Sequence, residues 1–271
     1  VGLAFGDGGF VVFPKVFEEI GFVEAGGFGG GDLGGEVFAD GVLKGVEGAV
    51  STAVEEAADG GVFVGHGNIY EGLARFNEQL KIEPALAESW STISPTVWRF
   101  KLRQGVKFHN GEPFTADDVV FSWQRVQSPG SITKLDLGGI KEMRKVDAFT
   151  VDVETKAPFP LLLNNLMSFT VMGKTWSEAN NSAEASDLQQ KKENFANRNT
   201  NGTGPFMLKS REVDVKTVLA ANPNWWDKPK HNLTEVSFTP IGSDATRTAS
   251  LLSGALDASV SVPLQDVARI N

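Results

Sequence analysis

Cysteine is absent from all 271 residues of the chain. Its absence excludes disulfide bonds, zinc–thiolate sites and cysteine nucleophiles from this sequence. The sequence also has no uninterrupted apolar run of about 18 residues, the length that a membrane-spanning helix needs. A chain of this length can still bury a sizeable hydrophobic core, as one large domain or two modest ones.

Residues 1–67 lack tryptophan, tyrosine and arginine, and they contain 19 of the 30 glycines of the chain. They hold 11 acidic and 2 basic residues, whereas residues 68–271 hold 23 of each, so the whole net charge of −9 comes from the first segment. This change in composition predicts a domain boundary near residue 67. The acidity of the chain therefore says nothing about the partner of residues 68–271.

Gly, Val, Ala, Asp and Glu make up 49 of the first 67 residues, and the codons of all five begin with G. That bias favours the interpretation that residues 1–67 are a translation of G+C-rich DNA in the wrong reading frame or from the opposite strand. The alternative is a Gly-rich acidic arm or a low-complexity linker. We expect residues 1–67 to pack poorly, with at most a strand at residues 10–13 and a short helix at residues 50–58.

Residues 68–271 show no excess of basic side chains, which nucleic-acid-binding proteins need to neutralise phosphates. We therefore expect no nucleic-acid partner. The three histidines are His66, His109 and His231, and none has the spacing to another ligand that a metal site on one helix face requires. His109 precedes an Asn-Gly turn signal and is interpreted as a surface or turn residue. No metal site and no cofactor are expected.

Two further features could suggest chemistry, but each has a simpler explanation. Asp117 and Asp118 resemble paired catalytic carboxylates, but helix capping explains them better. Trp225 and Trp226 could form a stacking platform for a ligand, but packing explains them better. The sequence also lacks a Gly-x-Ser-x-Gly nucleophile elbow. No catalytic residue is identified, which favours binding over catalysis.

Residues 97–103 alternate apolar and basic side chains, the period of a half-buried strand. A helix should follow, with Thr115 as its N-cap, Asp118 completing a capping box, and an end before Pro129. Gly204 should lie in a turn that a Cβ atom would hinder.

Further strands are predicted at residues 106–108, 142–146, 150–154, 206–210, 215–220, 236–241 and 256–260. Further helices are predicted at residues 160–167, within 178–198, at 243–253 and from residue 263. The pattern indicates an α/β protein of mixed α+β character.

Seven motifs in order resemble the bacterial extracellular solute-binding proteins of the peptide and nickel class, which serve ABC importers. They are residues 69–73 (IYEGL), 84–90 (PALAESW), 98–111 (WRFKLRQGVKFHNG), 113–119 (PFTADDV), 202–206 (GTGPF), 222–226 (NPNWW) and 252–257 (LSGALD). Within the class, the chain is most similar to dipeptide and oligopeptide binders. The resemblance covers about 200 residues and most of its motifs belong to the scaffold.

The resemblance implies a two-lobe periplasmic-binding-protein fold of type II, with a ligand enclosed between lobes that close by a hinge motion. Residues 68–271 would form the N-terminal lobe, with the crossover to the second lobe near residues 258–263. Family members are about twice as long, so the second lobe is missing from this chain. Residues 1–67 also lack the short Asp-Pro motif that the family has in its opening strand and helix.

The implied function is the capture of di- or oligopeptides in the periplasm, by a monomer that delivers them to membrane permease subunits. The backbone of Val260, Ser261 and Val262 would line the ligand cleft. Two alternatives remain open at this point. The chain could be a single-lobe interaction module that captures no ligand, or a hydrolase whose site the sequence does not reveal.

Overall fold

The computed structural model describes the backbone of residues 2–5, 9–12 and 48–54, and then residues 67–77, 79–187, 190, 192–229, 231–259, 263, 265, 266 and 269. The chain divides into two compact units. One, called the central unit here, consists of Gly65–Met207 and Asn222–Lys228. The other, called the seven-stranded unit, consists of Val1–Val64, Leu208–Ala221 and Pro229–Asn271.

A four-stranded antiparallel sheet forms the framework of the central unit. Its strands, in spatial order, are β6 (Ala87–Ser94), β7 (Val97–Leu102), β9 (Thr150–Thr155) and β8 (Ile140–Asp147). The predicted alternation in β7 is confirmed, because Phe100 and Leu102 are buried while Lys101 is exposed. The strands predicted at residues 142–146 and 150–154 are also confirmed, each slightly longer than expected.

Helix α1 (Ala116–Val126) packs its apolar stripe into the core of this unit. Thr115 is its N-cap, and the side chain of Asp118 accepts a hydrogen bond from the Thr115 amide at 2.8 Å, so the predicted capping box is confirmed. Val119 and Trp123 are buried on the core side. The helix ends at Val126, before Pro129, as the sequence predicts.

Replacing Thr115 by alanine should lower the free energy of unfolding by about 1 kcal/mol, because the first turn of α1 loses a side-chain acceptor. Urea unfolding of the wild type and the variant measures the difference. Thr115→Ser keeps the hydroxyl and should change stability by less than about 0.5 kcal/mol. Equal losses for the two variants would show that the hydroxyl does not act as a cap.

Strand β9 also places a buried carboxylate on the sheet. Asp152 accepts hydrogen bonds from Arg99 at 2.7 and 2.9 Å and from Arg144 at 3.4 Å. The hydrogen bonds from Arg99 hold the pKa of Asp152 below its usual value, so the carboxylate stays ionised although its side chain is buried. The pairs therefore tie β9 to both of its neighbours.

The remaining elements of the central unit are short. They are strands β4 (Ala74–Phe76) and β5 (Ile82–Pro84), helices α2 (Leu162–Asn165) and α3 (Lys174–Ala179), and the 3₁₀ turns Leu166–Ser168 and Phe195–Asn197. The strand predicted at residues 106–108 is wrong, since only an isolated bridge joins Lys107 to Pro113. The helix expected within residues 178–198 is also wrong: α3 ends at Ala179, and a 3₁₀ turn is the only helical element described between residues 180 and 198.

The seven-stranded unit takes its name from one mixed sheet. Its strands, in spatial order, are β1 (Gly2–Phe5), β2 (Gly9–Val12), β13 (Ala258–Ser259), β3 (Gly48–Val54), β12 (Leu233–Pro240), β11 (Lys216–Ala221) and β10 (Phe206–Glu212). Strand β3 pairs in parallel with both β12 and β13, whereas β2 pairs with β13 and β11 with β12 in antiparallel fashion.

Predictions for this unit had mixed outcomes. The hairpin strands β10 and β11 and the strand β12 are confirmed, as is helix α4 (Asp244–Leu252), which begins after the N-cap Ser243. Gly254 follows α4 with a φ of +73°, as a C-terminal cap glycine should. The short helix expected from residue 50 is wrong, because Gly48–Val54 is a strand. Its β-branched residues suit a strand, and parallel pairing with β12 stabilises it.

Strand β13 is shorter than the predicted residues 256–260, and most of the helix expected from residue 263 lies outside the described residues. The expectation that residues 1–67 pack poorly stays a prediction, because apart from Gly67 the structure describes only the backbone of three strands there. Among the helices that the structure describes, none has both the length and the apolar character needed to cross a bilayer.

Candidate functional site

The seven-stranded unit has an edge at which three parallel strands end. Strands β13, β3 and β12 run in the same direction, with Ser259 level with Ala53 and Thr239 level with the same residue on the other side. In open α/β sheets, ligands bind outside the carboxyl ends of parallel strands. Ser259, the last residue of β13, is fully buried at this edge. This edge is therefore the candidate ligand-facing side of the unit.

The sequence-predicted site residues follow this edge in the chain. Val260, Ser261 and Val262 come directly after β13, but they lie outside the described residues. Their role as cleft-lining backbone stays a prediction. The sequence assigns only backbone, and no side chain, to the cleft at these positions, and the described residues do not correct that assignment.

The central unit contains a buried carboxylate that the sequence analysis did not single out. Glu71 is 6% exposed and accepts hydrogen bonds from three side chains. Thr203 Oγ1 and Trp226 Nε1 both donate to Glu71 Oε2 at 2.8 Å, and Trp225 Nε1 donates to Oε1 at 3.3 Å. These donors lie 132 to 155 positions away in the chain. We call Glu71, Thr203, Trp225 and Trp226 the Glu71 cluster.

Charged side chains surround Trp226 on its other sides. The guanidinium carbons of Arg103 and Arg75 lie 4.4 and 5.9 Å from the Trp226 ring centroid, within the range of cation–π attraction. Arg75 also pairs with Glu83 at 2.8 Å and with Asp227 at 2.9 Å. The Trp226 indole and the carboxylate of the neighbouring Asp227 thus both hold this loop against the rest of the central unit.

Burial raises the pKa of Glu71 to about 7, although the hydrogen bonds from Trp226, Thr203 and Trp225 oppose this shift. All three partners donate, so the contact geometry suits the ionised carboxylate. The charge of this side chain therefore changes near neutral pH. The two tryptophans pack edge to face with centroids 5.8 Å apart, and Trp226 also packs against the hydrophobic core, as the packing interpretation expects.

His109 is more than the surface or turn residue that the sequence suggested. It is half-buried, its Nε2 lies 3.1 Å from the carbonyl oxygen of Gly204, and its Nδ1 accepts from the Gly202 amide at 3.3 Å. This pair of contacts requires the neutral tautomer that carries its proton on Nε2. Burial lowers the pKa of His109, which favours that neutral form. The turn signal after it is confirmed, with Gly111 at a φ of +88°.

The two neighbouring aspartates make separate contacts with different partners. Asp118 caps α1 and also accepts a hydrogen bond from the Lys174 amide at 2.9 Å, whereas Asp117 pairs with Lys145 at 2.6 Å. The capping interpretation is confirmed for Asp118, and Asp117 lies in the first turn of the helix as expected. Within the part of the chain that the structure describes, no three His, Cys, Asp or Glu side chains are grouped so as to hold a metal ion.

Comparison with known proteins identifies the family of this scaffold. Residues 81–271 match the family model described as bacterial extracellular solute-binding proteins, family 5 Middle. The chain belongs to this family. The resemblance inferred from the seven motifs is thereby confirmed, and the matched residues contain most of those motifs.

Two curated relatives of this family 5 protein are named as periplasmic binding proteins. The chain is 29% identical over 215 residues to the periplasmic murein peptide-binding protein MppA of Escherichia coli. It is 30% identical over 219 residues to the periplasmic oligopeptide-binding protein OppA of Salmonella typhimurium. These matches cover 72% and 70% of this chain. The chain spans 38% and 37% of the length of these relatives.

Among solved structures, the family 5 chain is similar to the periplasmic binding protein DppA of Helicobacter pylori in complex with the peptide STSA. The TM-score is 0.68 at 27% identity, over 84% of this chain and 48% of that chain. The mixed α/β fold of a periplasmic binding protein is therefore confirmed.

The Glu71 cluster is the part of the molecule that sequence reasoning missed. Two signals were present: a glutamate between apolar residues in the IYEGL motif, and two consecutive tryptophans in the NPNWW motif. Neither signal shows that the two motifs meet, because their contact joins positions more than 150 residues apart.

Proposed function

We propose that residues 68–271 form the N-terminal lobe of a receptor that captures di- or oligopeptides in the periplasm for an ABC importer. The observation that carries the proposal is the 30% identity over 219 residues to a protein named as oligopeptide-binding. The match to a solved structure with a bound peptide supports the same ligand class.

The position of β13 supports a backbone role for Val260, Ser261 and Val262. This strand lies within the sheet, between β2 and β3, and residues 260–262 follow it directly in the sequence. Backbone next to the carboxyl end of a strand can offer amides and carbonyls to an extended peptide, which then binds as an added strand. Backbone recognition of this kind tolerates many side chains, as a receptor for varied peptides requires. The crossover to the second lobe is proposed near residues 258–263.

The partners follow from the same proposal. The receptor would act as a monomer and deliver its peptide to the membrane permease subunits of the importer. It would bind without turnover, since its two curated relatives are named as binding proteins. Incubating the protein with di-, tri- and tetrapeptides and following them by mass spectrometry tests this point. The proposal expects unchanged peptides, and release of hydrolysis products would favour the hydrolase alternative.

The 271-residue chain alone should bind peptides only weakly or not at all. A receptor of this class encloses its ligand between two lobes, so one lobe supplies only part of the contacts while the cost of ordering the peptide remains. Isothermal titration calorimetry with tri- and tetrapeptides should therefore show no binding tighter than about 1 mM. A nickel–histidine mixture is the comparison ligand, because the family class includes nickel receptors.

The same titration separates the remaining alternatives. Micromolar binding of peptide by this chain would contradict the two-lobe account and show that one lobe suffices. Binding of nickel–histidine but not of peptide would contradict the proposed ligand class.

A further inference from the structure

The chain passes repeatedly between its two units, and each passage lies within six residues of a member of the Glu71 cluster in the sequence. It enters the central unit at Gly65, leaves after Met207, returns at Asn222 and leaves again after Lys228. Three parts of the central unit adjoin these passages. We call residues 68–71, 201–206 and 222–227 the crossing segments.

Backbone hydrogen bonds join the first two crossing segments. The Gly204 amide donates to the Ile69 carbonyl at 3.0 Å, and the Phe206 amide donates to the Asn68 carbonyl at 2.9 Å. The approach is close: an added Cβ on Gly204 would lie 2.4 Å from the Asn68 oxygen. These two segments therefore pack directly backbone against backbone.

The third crossing segment is joined to the second in the same way. The Asn222 amide donates to the Pro205 carbonyl at 2.7 Å, and Asn222 Nδ2 donates to the Gly204 carbonyl at 3.0 Å. The salt bridge between Arg75 and Asp227 fixes the far end of the segment. Polar contacts thus join the three crossing segments to one another, and a salt bridge joins the third to strand β4 of the central unit.

Glu71 connects all three crossing segments through its own side-chain atoms. It belongs to the first segment, accepts from Thr203 in the second, and accepts from Trp225 and Trp226 in the third. The groups that face it are these three donors, with Arg75 as the charge nearby. Because the carboxylate is buried, loss of one donor is not readily compensated by water.

We propose that Glu71 is a positioning residue that clamps the three crossing segments to one another within the central unit. The clamp thereby fixes, inside this unit, the positions at which the chain enters and leaves it. This device does not depend on what the protein binds.

Amide hydrogen exchange of Glu71→Gln at pH 8 tests the clamp, because the wild-type carboxylate, with a pKa of about 7, is then ionised. Glutamine keeps the shape of the side chain but replaces one acceptor oxygen by a donor, and the three side chains that bond to this group are all donors. The amides of Gly204, Phe206 and Asn222 should then exchange on the order of tenfold faster, through local opening. The reference amides of Leu102 and Thr155, which bond to Phe149 and Thr96 in the four-stranded sheet, should stay within about twofold of wild type.

Asp152→Asn is the matched control, since Asp152 is another buried carboxylate of the central unit but bonds only to Arg99 and Arg144 among its described side-chain partners. It should leave the exchange of the crossing amides unchanged. Thr203→Val removes a single donor and should give a smaller acceleration at the same amides, about threefold, so the test stands even if Glu71→Gln fails to fold. Equal acceleration at the crossing and reference amides, or none at the crossing amides, would overturn the clamp.

Discussion

Replacing Gly202 by alanine should destabilise the protein by at least about 3 kcal/mol, the upper range for forcing extra atoms into a packed site. An added Cβ at Gly202 would lie 1.8 Å from the carbonyl oxygen of Ile69, where no heavy atom fits. That carbonyl cannot retreat without cost, because it accepts the Gly204 amide at 3.0 Å. Relief of the clash would separate two backbone segments and leave buried polar groups without partners.

Urea unfolding measures this effect, and Gly105→Ala is the matched control. Gly105 has a φ of +81° but open space where a Cβ would lie, so alanine there costs only the strain of the left-handed backbone, about 1 kcal/mol. The difference between the two variants isolates the clash from the backbone strain. If the two glycines tolerate alanine equally, the close approach of residues 69 and 202 is not a feature of the folded protein.

The second large effect is a pH dependence of stability that comes from Glu71. Its pKa is about 7 in the folded chain, above the ordinary value of 4.5 that it has when unfolded. The folded state therefore binds the proton more tightly, and this contribution to stability is fully present below pH 4.5 and is lost as the pH rises through 7. When the pH falls from 8 to 5, protonation of Glu71 should raise the free energy of unfolding by about 2 to 3 kcal/mol.

The measurement compares wild type with Glu71→Gln by urea unfolding at pH 5, 6, 7 and 8. Other titrating groups, His109 among them, are present in both proteins, so their effects cancel in the difference. The stability of the wild type relative to Glu71→Gln should rise by about 2 to 3 kcal/mol from pH 8 to pH 5. For Asp152→Asn the difference from wild type should stay constant over this range, because hydrogen bonding from Arg99 lowers the pKa of Asp152. A constant gap for Glu71→Gln as well would show that Glu71 titrates normally.

Local features of the fold could be predicted from the sequence because their causes are local. The alternation of residues 97–103 specifies which face of β7 is buried, and Thr115 with Asp118 marks the start of α1 within a span of four residues. Gly204 was also predicted correctly to exclude a Cβ atom, although the atom that excludes it, the Asn68 oxygen, was not foreseen. Each of these features depends on a few neighbouring residues.

Features that depend on distant contacts were missed. Residues 48–54 form a strand rather than a helix because β12, far along the chain, pairs with them. The polar stretch after Ala179 lacks the apolar spacing that would favour a helix. Hydrogen bonds between backbone and side chains shape it instead, such as the bond from the Ala196 amide to Ser182 Oγ. The Glu71 cluster requires two motifs to meet in space, and no spacing in the sequence encodes that meeting.

Peptide binding by the protein expressed from the complete gene tests the central proposal most directly. Calorimetry with tri- and tetrapeptides should give one site of micromolar or tighter affinity, and Ser261→Pro should weaken it at least about tenfold because proline removes a backbone donor from the proposed cleft. Ser261→Ala, which keeps the backbone amide, should bind as the wild type does. Absence of peptide binding by the complete protein would contradict the account, and the single-lobe interaction module would then be the better explanation.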